Sequence, residues 1–95
     1  MKAHVILETV AKTLTQRGTA NGYDKQEERS AAEIARVFNE KTSGAKLTEN
    51  GVLEVMRALK EVRLKRQLVN GIDPTDTLID LIGYTALLAE CLTEK

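Results

Sequence analysis

The amino-acid sequence predicts an all-α fold, a compact arrangement of four helices completed by association with further copies. Three observations lead there. Apolar residues recur at spacings of three and four in each segment long enough to test, and no stretch alternates at strand spacing. Capping residues and glycine-containing breaks divide the 95 residues into four such segments. Only Tyr23, Phe38 and Tyr84 are aromatic. The core must therefore be aliphatic, and a chain this short has little surplus burial, so a second copy is expected to finish it. Residues 1–95 form one domain.

The first helix runs from Lys2 to Arg17, with Ala3, Ile6, Leu7, Val10, Ala11 and Leu14 as its apolar stripe. Arg17 suits the negative helix end, and Gly18 is expected to take the left-handed cap. "GTANGYDKQEE" has no periodicity and is longer than most helix connections. Ser30 with Glu33 forms a capping box that opens the second helix, whose stripe is Ala31, Ile34, Ala35 and Phe38; "TSG" closes it. Thr48 caps the third helix, which reaches Leu68 and is striped by Val52, Val55, Met56, Leu59 and Val62. In the fourth, Asp73 caps, Pro74 fills the first turn and Asp76 meets the positive helix end. Leu78, Ile79, Leu81, Ile82, Leu87, Leu88 and Leu92 make this helix apolar nearly all round, which places it centrally or at an oligomer seam.

Composition excludes several classes of function. Fourteen basic residues balance fourteen acidic ones, so no global field draws in nucleic acid or an anionic membrane. No apolar run approaches the length of a membrane span, and the N-terminal run is too short for a signal peptide. Cys91 has no cysteine to pair with in the chain, which points to a reducing compartment and a packed thiol. The expected location is the cytoplasm. His4 lacks His or Cys neighbours for zinc, and no Ser-His-Asp set, phosphate-binding Gly-rich loop or dinucleotide fingerprint is present.

Two constellations carry chemistry. Helical spacing puts Asp76, Asp80 and Gly83 on one face of the last helix, and Arg57, Lys60 and Arg63 on one broad face of the third. If the helices are neighbours, Lys60 or Arg63 is expected to hold Asp80 ionised, with Gly83 admitting a neighbouring backbone or a ligand. A structural salt-bridge network explains the same residues. The second constellation lies around the long loop. There Tyr23 can stack on a base, Arg17 or Arg29 can hold a phosphate, and Glu27, Glu28 and Glu33 can offer oxygens to Mg²⁺. A solvated loop with a tyrosine over the core edge is the alternative, and the capping box already accounts for Glu33.

The order of "ILETVAKTLTQRG", "GYD", "ERSAAEIARVFNEKTSG", "LTENGVLEVMRALKEVR" and "DTLIDLIGYTALLAE" resembles a family of small phage and prophage proteins of unassigned function, over nearly the whole chain. More distantly, the chain is similar to the all-α nucleoside triphosphate pyrophosphohydrolases of the MazG type. That similarity implies Mg²⁺ held by Asp80, Asp76 and Glu28, phosphate neutralised by Lys60 and Arg63, and a base contacted by Tyr23. The MazG-type pattern has two acids, two spacers and a third acid, then an acid pair three apart. Here the text is "EERSAAE", with a pair four apart. Three functions follow: a nucleotide-binding protein with or without Mg²⁺-dependent hydrolysis, a non-catalytic binder that sequesters a nucleotide or a host protein, and a structural or regulatory oligomer. The missing third acid favours binding over catalysis.

Overall fold

The computed structural model describes residues 1–20 and 30–94. They form four helices: α1 (Ala3–Ala20), α2 (Ser30–Lys41), α3 (Glu49–Val69) and α4 (Thr75–Thr93). No strand occurs among the described residues. The all-α expectation holds, and α4 is central as its apolar circumference predicts. The helices pack in a row, α1 on α4, α4 on α3 and α3 on α2.

The helix ends follow local chemistry. Thr48 is the N-cap of α3, and its side-chain oxygen accepts from the Gly51 N–H at 3.0 Å. Asn39 fastens the α2–α3 connection with one side chain. Its Nδ2 donates to the Leu47 carbonyl at 2.8 Å, and its Oδ1 accepts from the Leu47 N–H at the same distance. Ser43 and Gly44 turn the chain between them with φ of 52° and 99°, and Gly71, with φ of 67°, does so after α3.

Two ends differ from expectation. Gly18 is no left-handed cap: it is buried inside α1, which continues to Ala20. Gly18 follows Val10 and Leu14 at four-residue spacing, on the face of α1 where those two side chains meet Gly83 of α4, and its burial there offsets glycine's poor helix propensity. In α4, Pro74 stands at the cap rather than in the first turn, with its carbonyl accepting from the Leu78 N–H. Asp73 still serves the helix start from one residue earlier. Its Oδ1 accepts from the Thr75 N–H at 3.0 Å and the Thr75 hydroxyl at 2.7 Å.

The apolar core is small: among the described residues, Val10, Ala35, Val52, Leu53, Ile79 and Leu87 are the buried hydrophobic ones. The face of α3 differs most from the apolar stripe. Val52 and Met56 pack, but Val55, Leu59 and Val62 are exposed. Arg57 and Lys60 meet α4 instead, and buried Leu53 and half-buried Leu64 and Gln67 continue their side of the helix at helical spacing. Periodicity ranks residues by apolarity alone; here Asp80 and Thr85 of α4 give Lys60 and Arg57 partners to pack against.

Candidate functional site

Asp80 lies in the second turn of α4, between α1 and α3. Its Oδ2 holds the Lys60 ammonium of α3 at 2.9 Å, and its Oδ1 accepts from the guanidinium of Arg17 in α1. One carboxylate thus joins three helices. The exposures are unequal: 11% for the Asp80 side chain, 12% for Lys60 and 45% for Arg17. Lys60 is therefore the buried arm and Arg17 the arm that meets solvent. Among the described residues, two positive charges face one negative charge there, Arg17 and Lys60 against Asp80.

The expected bases divide three ways. Lys60 takes Asp80. Arg57 donates through Nε to the Thr85 hydroxyl at 3.1 Å and pairs with Glu54 at 2.9 Å. Arg63 is exposed and makes no ion pair among the described residues. Arg17, grouped by the sequence with the long loop, is the second partner of Asp80 instead. Helical spacing places Arg17 with Val10 and Leu14 on the packed face of α1, but does not name the helix that face meets.

Gly83 lies one turn beyond Asp80 and is buried against α1. A Cβ there would meet Leu14 Cδ2 at 3.5 Å and Val10 Cγ1 at 4.0 Å, which is ordinary contact with side chains. The neighbour is thus not a backbone, and room for a methyl group remains.

A cleft of about 30 Å³ between α1 and α4 is lined by Leu14, Arg17, Asp80, Gly83 and Tyr84. That is room for about one water molecule. A larger cavity of about 220 Å³ lies among α2, α3 and α4, walled by Ile34, Val52, Leu53, Met56 and Cys91. The two hollows share Tyr84 and Leu87. The Cys91 thiol is half-buried, as expected.

Of the expected magnesium ligands, Asp76 is exposed in the first turn of α4 and Asp80 has both oxygens on cations. No group of three His, Cys, Asp or Glu side chains among the described residues is placed to hold a metal. The described acids do not fit Mg²⁺ on their own. Glu28, with Tyr23, Arg29 and Glu27, lies outside the described residues. No helix among the described residues is long and apolar enough to cross a membrane.

Residues 5–92 match a family model described as a domain of unknown function (DUF6378). No curated protein and no solved structure matches the chain.

Proposed function

We propose that this chain, which belongs to the DUF6378 family, binds a phosphate-bearing small molecule of the nucleotide class at the Arg17–Asp80–Lys60 cluster. The observation that carries this reading is that, among the described residues, two cations share the one carboxylate of Asp80 beside the α1–α4 cleft. Arg17 is the contact group, since its side chain is the exposed member. Asp80 anchors one guanidinium nitrogen, and an arginine so held gives up less rotamer freedom when it takes a phosphate. Lys60 offsets the charge of Asp80, which would otherwise repel the ligand. Arg63, three residues further along α3, extends the positive surface.

The cleft is too small to admit a nucleotide, so the phosphate sits at its mouth. The larger cavity, across Tyr84 and Leu87, suits a flat ring rather than a whole ligand. This reading keeps the helical scaffold of the MazG-type resemblance and treats the protein as a binder. Mg²⁺-dependent pyrophosphohydrolysis has less support, because Asp80 would have to release two cations before it could hold a metal. Association with a second copy is a separate reading, favoured by the exposed valines and leucine of α3.

Titration calorimetry against linear and cyclic nucleotides, with and without Mg²⁺, tests the proposal. Binding of at least one nucleotide, retained when Mg²⁺ is chelated, is expected. A folded protein that binds none of them contradicts it.

A further inference from the structure

α3 packs against both α4 and α2, and a further face of it is bare. Its inner face meets α4 through Arg57 and Lys60. At about 100° per residue, Val55, Leu59, Val62 and Val69 fall on the opposite side. All four are exposed, from 38% at Leu59 to 79% at Val69. Their spacings of four, three and seven match the seam of a two-stranded helical pair, and Arg66 is the one interruption. Isolated exposed apolar residues need no explanation, but a seam along one helix does.

We propose that this stripe is the interface of a symmetric dimer in which α3 packs antiparallel to α3 of a second copy. The charges of α3 select that occupant and that direction. Glu49, Glu54 and Glu61 lie in its first thirteen residues, whose two bases, Lys60 and Arg57, turn to Asp80 and Thr85 of α4, Arg57 also pairing with Glu54; Arg63, Lys65 and Arg66 lie in its last seven. None of these three bases makes an ion pair among the described residues. A parallel pair would bring the basic ends together. An antiparallel pair lays each basic end on the partner's acidic end, and two-fold symmetry makes the contact twice. With the axis between Leu59 and Val62, Leu59 packs on the partner subunit's Val62. Arg66 then lies opposite the partner subunit's Val55 and beside the partner subunit's Glu54.

The shape of the chain agrees. Its radius of gyration is 14.6 Å, against about 12 Å for a closed domain of this length. A row of helices with a bare stripe on one of its inner members gains most from a second layer. None of its seam residues belongs to the Arg17–Asp80–Lys60 cluster, and only Arg63 figures in both readings.

Sedimentation velocity on the intact chain at micromolar concentrations tests it. The wild type should sediment as two 10.5 kDa copies. Leu59→Glu should sediment as one copy with unchanged helical circular dichroism; Val62→Lys serves if that variant fails to fold. Glu54→Arg and Arg66→Glu should each raise the dimer dissociation constant about tenfold, and the two together should restore it. That rescue cannot arise inside one chain, because twelve residues of helix separate the two side chains by roughly 18 Å. A monomeric wild type, a dimer indifferent to Leu59→Glu, or single charge variants with no rescue in the double would each overturn the proposal.

Discussion

Lys60 Nζ sits 2.9 Å from Asp80 Oδ2, with both side chains about nine-tenths covered. A pair this enclosed is costly to break from one side, because the remaining charge keeps its burial and loses its counter-charge. Asp80→Asn should therefore cost about 3 kcal/mol in urea unfolding. Arg17→Gln, on the exposed arm, should cost less than about 1 kcal/mol. Equal losses from both would show that exposure does not rank the two arms.

Gly83→Ala should stabilise the protein. The added methyl meets Leu14 and Val10 at ordinary contact distances, and alanine in a helix interior is favoured over glycine by about 0.5–1 kcal/mol. A raised melting temperature is the expected result. A lowered one would mean that α1 already sits as close to α4 as it can, and that the glycine is required.

Gln67 continues the inner face of α3 beyond Lys60 and Leu64, and its Oε1 is buried without a hydrogen-bond partner among the described residues. An unsatisfied buried acceptor costs about 1–3 kcal/mol. Gln67→Met keeps the length and removes the polar atom, so unfolding should shift to higher denaturant. Destabilisation instead would indicate that Oε1 has a donor, from the rest of the chain or from a bound molecule.

The start of α4 should respond to acid. The Thr75 hydroxyl, then the Thr75 N–H, hold the Asp73 carboxyl below the ordinary carboxylate range. A depressed folded-state value means that the stabilisation is present above the unfolded value and is lost as pH falls through the folded one. Carboxyl titration followed by nuclear magnetic resonance should show Asp73 protonating late on acidification. In Thr75→Ala, which removes the larger of the two influences, it should protonate earlier; an unchanged midpoint would rule out the hydroxyl as the cause.

Local signals were legible in the sequence, and the choice of face was not. Thr48 reads as a cap and is one, because a cap depends only on residues within one turn. The central place of α4 follows from its apolar circumference alone. Asp80 stands out because nothing local explains an acid between Ile79 and Leu81, and Lys60 was already one of its expected partners. Gly18 reads as a stop and is not one, since whether a helix continues past glycine depends on what it packs against. The outer stripe of α3 reads as core because periodicity ranks valine and leucine by apolarity alone and does not say whether another element covers them. Arg17 was missed as a partner of Asp80 because the ion pair spans sixty-three positions, and pairing at that range follows from helix order, which periodicity does not encode.

The most direct test of the ligand site compares the wild type with Arg17→Gln, using calorimetry with the tightest-binding nucleotide of the panel in the presence of a chelator. Arg17 is the exposed arm of the cluster, so its loss should leave the fold nearly unchanged while removing the group that meets the phosphate. The expected result is a dissociation constant raised about tenfold or more, with little change in melting temperature. Equal affinity in the two proteins would contradict the claim, and would leave the Arg17–Asp80–Lys60 cluster as a brace between three helices.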